Sequence, residues 1–296
     1  MFFNFLARIY TAGKTIGEAE PKIQRLLDCG FSVTSDLLGE FVREPEKIKT
    51  VIDEYKAHID FLGSIKKKFP EKEISLSIKP SRIGLEMNAL FFQKNLMALA
   101  AEARKKGVFI WLDAEKKKDR EMVLGTAMRL GALNYRNIGA ALQCVHSDAK
   151  KYLPELLEKG VALRLVKGAY TDGDLSDREA VNENFRKIFW TAIHYYKNSE
   201  KKAVVAVATH DERLINYALM FRGDKEIGKL IQIQMLYNIR KKLQTKLASA
   251  LRYNLLVYVP WGSDTSGFLK RRLAEGIRPG TRWLFIRNIW EAWWYG

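Results

Sequence analysis

A closed (β/α)8 barrel of the TIM type is the fold class that this sequence predicts, and three observations predict it. Short apolar, β-branched runs recur eight times along the chain, and segments of helical periodicity lie between them. The length, 296 residues, is that of eight such units. An open doubly wound sheet is the runner-up. It normally has fewer strands, however, and it wants a glycine-rich fingerprint after the first one. No G-x-G-x-x-G occurs anywhere in the chain.

The elements follow in order. Gly17 to Leu27 reads as one extra helix ahead of the first strand. The strand runs are Phe31–Val33, Ile74–Ile78, Val108–Leu112, Ile138–Leu142, Val161–Val166, Ala203–Ala208, Leu230–Ile233 and Leu255–Val259. Between the first two, Ile48, Val51, Ile52, Tyr55, His58, Ile59 and Leu62 repeat at helical spacing, as do Ala180, Phe185, Ile188, Phe189 and Ala192 after the fifth. No linker, repeat or low-complexity stretch interrupts the pattern, so residues 1–296 read as one domain, with a helical tail at the C-terminus.

Composition narrows the functional classes. The chain is 47% apolar, enough for a large core, and carries a net charge of +16. That excess suits a nucleic acid, an anionic membrane or an anionic ligand. The basic clusters (Lys66–Lys68, Arg104–Lys106, Lys116–Lys118, Arg240–Lys242) are scattered and lack interleaved aromatics, which favours solvated faces over a nucleic-acid stripe. Cys29 and Cys144 make no disulfide framework and are expected as buried thiols in a reducing compartment. There is no run of about 18 apolar residues, and the N-terminal segment is too short and wrongly flanked for a signal peptide. A cytoplasmic protein is expected. His58, His146 and His194 have no ligand spacing, so no metal is expected.

Function should sit at the C-terminal ends of the strands. At or just beyond those ends lie Asp36 and Glu40, Lys79, Asp113 and Glu115, Gln143, Arg164 and Lys167, Thr209 and His210, Gln234, and Tyr258. Singly, each reads more readily as a satisfied rim residue than as a catalyst. Together they describe a polar, partly cationic cup over an apolar barrel, suited to an anionic ligand and a phosphate-bearing cofactor. Past the last strand, Arg271 and Arg272 on a helix point about 100° apart. A small carboxylate between them would meet two planar donor forks, although a basic surface helix explains the pair as well.

Several ordered segments carry a resemblance. They are Asp36-Leu37-Leu38-Gly39-Glu40, Leu76-Ser77-Ile78-Lys79-Pro80-Ser81, Leu112-Asp113-Ala114-Glu115, Arg164-Leu165-Val166-Lys167-Gly168-Ala169-Tyr170, Ala208-Thr209-His210-Asp211, Gln234-Met235-Leu236-Tyr237 and Arg271-Arg272-Leu273-Ala274-Glu275. From about Gly17 to Gly276 the chain resembles the flavin-dependent proline dehydrogenases. The resemblance implies oxidation of L-proline to 1-pyrroline-5-carboxylate, by hydride transfer from proline C5 to flavin N5, with a quinone as electron acceptor. The cofactor it implies is FAD, with FMN left open because the sequence does not fix whether a nucleotide half is bound.

The resemblance also implies roles. Arg271 and Arg272 would hold the proline carboxylate, with Lys79 as a third positive charge. Arg164 would lie beside flavin N5 and pair with Glu40 as a gate. Asp113 and Ala114 would sit near flavin and substrate, and Gln143 would donate to the ring. Lys167, Gly168, Ala169, Thr209 and His210 would contact the cofactor, Leu236 and Tyr258 would wall the proline ring, and Glu275 would cap the cofactor side. Three positions depart from the family pattern: Thr171 where Trp is usual, Phe268 where Tyr is usual, and Gln232 where Glu is frequent. Phe268 keeps a substituted proline, such as hydroxyproline, open as substrate.

Trp283, Ile286, Trp290 and Trp293 fall on one helical stripe in the tail. It reads as a helix docked on the barrel or as an anchor at a lipid interface, which would place the protein peripherally on the inner face of the cell membrane. A non-catalytic basic barrel that binds membrane or nucleic acid is the alternative from another class.

Overall fold

The computed structural model describes residues 2–168, 172–251 and 255–277, together with Trp290. Two helices, α1 (Phe2–Tyr10) and α2 (Ile16–Asp28), precede β1 (Ser32–Leu37). Then come α3 (Pro45–Lys68), β2 (Ile74–Ile78), α4 (Ala89–Lys105), β3 (Phe109–Leu112), α5 (Arg120–Ala132), β4 (Ile138–Gln143), α6 (Leu153–Glu158) and β5 (Ala162–Val166). The second half is α7 (Arg178–Asn198), β6 (Val205–Ala208), α8 (Glu212–Leu219), α9 (Lys225–Leu230), β7 (Ile231–Leu236), α10 (Lys241–Leu251), β8 (Leu255–Trp261) and α11 (Ser266–Ile277). Each strand pairs in parallel with the next, and β8 pairs with β1, closing the expected eight-stranded barrel.

Alternation along the strands builds two different layers. Residues facing the helices, such as Val33, Leu76, Ile110, Leu163, Val207 and Val257, are fully buried in one apolar cluster that also takes in the inner faces of the helices. Truncating a leucine there to alanine would cost about 2–5 kcal/mol. Residues facing the barrel axis are different. A small apolar group of Trp111, Ala162 and Ala206 fills the lower part, and Gly139 makes room for it, since a Cβ there would stand 2.4 Å from the Trp111 ring. The rest of the axis is polar, with Thr34, Asp36, Ser75, Ser77, Arg164, Gln232 and Gln234 all buried. The expectation of an apolar interior is corrected by this layer. Most of the larger apolar strand residues face outward to the helices.

The same alternation explains the strand boundaries. β1 continues past Val33 because Thr34 and Asp36 point inward while Val33 and Leu37 pack outward. Helices begin where short polar side chains accept from the first turn: Asn88 from Phe91 N at 2.8 Å, Asp177 from Ala180 N at 2.9 Å and Asp211 from Arg213 N at 3.1 Å.

The single extra helix expected before β1 is joined by α1. Its Leu6, Ile9 and Tyr10 form a stripe buried against Ile239 and Leu269, the latter on α11. Asn238 Nδ2 donates to Ile9 O at 2.8 Å, and Ala12 N donates to Pro260 O at 2.7 Å, which lays the N-terminal segment along the end of β8. Of the two thiols expected to be buried, Cys144 is. Cys29 is exposed, because it closes α2 at the surface. Among the described residues no helix is long and apolar enough to cross a membrane.

Candidate active site

Arg164 is the hub of the barrel floor. Its Nε donates to Gln234 Oε1 at 2.7 Å, and its Nη1 donates to Ser77 Oγ at 2.7 Å and Asp113 Oδ1 at 2.8 Å. The guanidinium also stands 4.7 Å from the Trp111 ring centre and 5.4 Å from that of Tyr258. Only 3% of the residue is exposed, and its Nη2 is buried with no hydrogen-bond partner. Burial pulls its pKa below the ordinary arginine value while Asp113 pulls the other way, and a guanidinium keeps its charge regardless.

Asp113 collects the donors around it. Ser77 Oγ donates to Oδ1 at 2.8 Å, Tyr258 OH donates to Oδ2 at 2.8 Å, and Lys79 Nζ lies 3.9 Å from Oδ2. Burial raises the Tyr258 pKa well above its usual value, so that hydroxyl remains a donor. Lys79 is bonded to Asp36, both of them buried. Burial works against its charge, but Asp36 and Asp113 carry its pKa above the ordinary lysine value. Two cations and two anions therefore neutralise one another on the floor.

Glu40 and Arg164 were expected to pair as a gate, and the structure corrects this. Arg164 is committed below to Asp113 and Gln234, whereas Glu40 lies at the rim and pairs with Arg271. Arg271 Nη1 stands 3.0 Å from Glu40 Oε2, and Nη2 meets the other carboxylate oxygen, making the contact bidentate. The reach of the two sites decides the matter, since Arg164 points along the barrel axis and α11 crosses over the loop after β1.

That loop is held from below. Phe41, in the left-handed region at φ 56°, donates its N–H to Ser81 Oγ at 3.1 Å, and Arg82 Nη1 donates to Leu37 O at 2.9 Å and Leu38 O at 3.0 Å. Ser81 is clamped by Glu115, which accepts from its N–H at 2.8 Å and its hydroxyl at 2.7 Å. Burial pushes the Glu115 carboxyl up to about 7, against these same bonds.

The upper rim of β5 and β6 carries the other predicted residues. Lys167 Nζ donates to Asp211 Oδ2 at 2.7 Å, joined by Arg178 at 3.1 Å. Despite its burial, these cations hold Asp211 far below the usual carboxylate range. Gly168 takes φ 121°, and a Cβ there would meet Val145 at 2.5 Å. Thr209 Oγ1 accepts from Asp211 N at 3.2 Å. His210 Nε2 accepts from Leu236 N at 3.0 Å, which puts any ring proton on Nδ1. Burial, with Arg272 and Arg240 adding to it, lowers the His210 pKa to about 3, so the ring is neutral.

Gln143 is buried, its Nε2 donating to Glu115 O at 3.2 Å and its Oε1 3.2 Å from His146 Nε2. Ala114 lies between Asp113 and Glu115, half-buried. Leu236 packs with Phe268 on the cluster formed by α1 and α11, and Arg272 lies 5.5 Å from the Phe268 ring centre. Ala169, the side chain of Glu275 and the Trp-rich tail apart from Trp290 lie outside the described residues. Sequence reasoning missed Ser77 and Trp111 on the floor. The signal was present in Ile-Ser-Leu-Ser-Ile (74–78), whose alternation puts both serines on the face opposite the aliphatics.

A family model described as proline dehydrogenase matches residues 19–278. Proline dehydrogenase 2 of Bacillus subtilis (strain 168) is 29% identical over 290 residues, covering 93% of this chain and 90% of the relative. Proline dehydrogenase of Deinococcus radiodurans is 31% identical over 281 residues, covering 92% and 87%. Among solved structures, proline utilization A from Bdellovibrio bacteriovorus, inactivated by N-propargylglycine, superposes with a TM-score of 0.84 at 19% identity over 94% of this chain. The chain spans about a third of the length of that protein, 33%.

Proposed function

Because the chain belongs to the proline dehydrogenase family, we propose that it oxidises L-proline to 1-pyrroline-5-carboxylate in proline catabolism, with FAD as its flavin and a quinone as the final acceptor. A bound flavin supplies the hydride acceptor for proline C5. The observation that carries the reading is Arg164, a buried cation with every donor tied down except Nη2. A donor orphaned at that depth would suit a hydrogen-bond acceptor on a cofactor, and would favour the negative charge that a flavin acquires on reduction.

The remaining residues bind and orient. Arg271 and Arg272 would hold the proline carboxylate, and Arg271 must leave Glu40 to do so, so that one carboxylate replaces another. Lys79 adds positive potential but is balanced by Asp36. Asp113 already accepts from Ser77, Arg164 and Tyr258, so both of its oxygens are engaged. It would orient the substrate, and the neutral proline amine would be selected rather than made. Tyr258 and Leu236 would wall the ring, giving near-attack placement of C5. Toward the cofactor, His210 would offer Nδ1–H, Gln143 an amide, Lys167 a cation, and Gly168 close backbone approach. FMN in place of FAD would use the same floor.

A substituted proline is the second reading. Phe268 favours it, because its ring sits in an apolar cluster with no hydroxyl to offer. A cytoplasmic protein applied to the membrane face would suit the quinone and the +16 charge.

The test is a visible spectrum of the purified protein, repeated after anaerobic addition of L-proline. Flavin bands that bleach are expected. Bands that persist with proline and bleach with hydroxyproline would move the assignment to the second reading. Protein that takes up no flavin on reconstitution would overturn both.

A further inference from the structure

A line of hydrogen-bonded side chains runs from Arg164 across the barrel floor to Glu73, and the proposed reaction makes no use of its far end. Arg164 Nε donates to Gln234 Oε1 at 2.7 Å, Gln234 Nε2 donates to Gln232 Oε1 at 2.6 Å, and Gln232 Nε2 donates to Glu73 Oε2 at 2.5 Å. Arg164, Gln234 and Gln232 are 3%, 3% and 7% exposed, so water does not bridge the line from outside. Glu73 Oε1 is itself buried without a hydrogen-bond partner.

The ends of the line dictate its direction. A guanidinium only donates and a carboxylate only accepts. Gln234 must therefore turn its oxygen to Arg164 and its NH2 to Gln232, and Gln232 must turn its NH2 to Glu73. Remove the acceptor at Glu73 and only the Arg164 end still dictates the direction, while the Gln232 NH2 is left buried without its acceptor. Gln232 then gains by leaving the line to satisfy that group, and Gln234 loses the partner that holds it against Arg164. Buried polar lines of this kind cost more than an apolar core unless every member is satisfied, and an apolar filling is what the neighbouring Trp111, Ala162 and Ala206 provide.

We propose that Glu73 is a positioning residue for Arg164: acting through Gln232 and Gln234, it fixes Nε and thereby the direction in which the unpartnered Nη2 points. With Nε held by Gln234 and Nη1 held by Ser77 and Asp113, the planar fork has no rotation left, and Nη2 faces one place. Burial raises the pKa of Glu73, opposed by Gln232 and by the charge of Arg164. The bonding pattern holds in either protonation state, since Oε2 accepts in both.

The proposal rests on the flavin reading for its consequence but not for its geometry, and the experiment separates the two. In flavin-free protein labelled with 15N-arginine, hydrogen exchange at Arg164 Nε–H reports the line directly. Glu73→Leu is expected to speed that exchange by about tenfold or more, the loss of one buried hydrogen bond. In flavin-loaded protein, the same variant should slow flavin reduction at saturating proline by about tenfold, with proline Kd within about twofold of the parent. Adding Gln232→Glu to Glu73→Leu gives Gln234 a carboxylate acceptor directly and should restore both readouts, which general loss of packing would not allow. Should Glu73→Leu fail to fold, Gln232→Leu cuts the line one residue higher and carries the same expectations. Exchange and reduction rates equal to the parent in a folded variant would overturn the proposal, as would a loss that Gln232→Glu leaves unrepaired. If the parent's flavin does not bleach with proline, the functional reading falls, while the flavin-free exchange still decides the relay.

Discussion

Two of the arginines that bind carboxylates, Arg164 and Arg271, differ in their surroundings. The Arg164–Asp113 pair has side chains only 3% and 16% exposed, while the Arg271–Glu40 pair at the rim is 20% and 11% exposed. Arg164 adds a serine, a glutamine and two aromatic rings to its carboxylate. Arg271 meets Glu40 across a joint between a loop and a helix. Removing one partner of a buried pair strands a charge and costs about 3–5 kcal/mol, whereas a fully exposed ion pair is worth about 1 kcal/mol or less, and Arg271, the more exposed of the two arginines, stands nearer that limit. The floor is thus a framework that cannot exchange partners, and the rim is a contact cheap enough for a substrate carboxylate to displace.

The comparison can be broken in four ways, from the largest expected effect down. Arg164→Met should lower unfolding free energy in urea by about 3–5 kcal/mol, and a change under about 1 kcal/mol would erase the distinction drawn above. Arg271→Met should leave stability nearly unchanged but reduce kcat/KM for proline by about two orders of magnitude, near 3 kcal/mol. A loss of tenfold or less would count against its role in holding the carboxylate.

Glu115→Gln tests the anchor beneath the rim loop. The Glu115 carboxyl is raised from 4.5 to about 7 in the folded protein, so its contribution is fully present below pH 4.5 and lost as pH rises through 7. Relative to Glu115→Gln, the parent should lose on the order of 2 kcal/mol of stability across that window. Flat stability differences from pH 4 to 8 would show that the carboxyl is not held protonated. The smallest effect belongs to Glu40→Gln, which removes the competitor for Arg271. Proline should bind tighter by about fivefold at most, read by titration of the flavin spectrum. Weaker binding would mean that Glu40 helps rather than competes.

The fold was legible because the barrel is local in its logic. Ile74–Ile78 matched its strand to the residue, and the helical stripe from Ile48 to Leu62 lies buried within α3. Where reading by apolar runs fell short, as at β1, the strand was carried by Thr34, Ser35 and Asp36, polar residues that an apolar filter discards. That polar residues gather at the strand ends was also legible. Its partnerships were not: Glu40 met Arg271 instead of Arg164, and Lys79 arrived already bound to Asp36. Gln232, visible in the sequence only as a departure from a pattern, gains its meaning from Glu73, 159 residues away.

What the sequence determined by itself is therefore the architecture and the end of the barrel at which its polar residues gather. Alternation and helical period are properties of neighbouring residues, and eight repeats of them leave one closed arrangement. What the tertiary structure decided is which charges neutralise which. Pairing depends on distances across the barrel axis and on how completely water is shut out, and both are set only when β8 closes on β1.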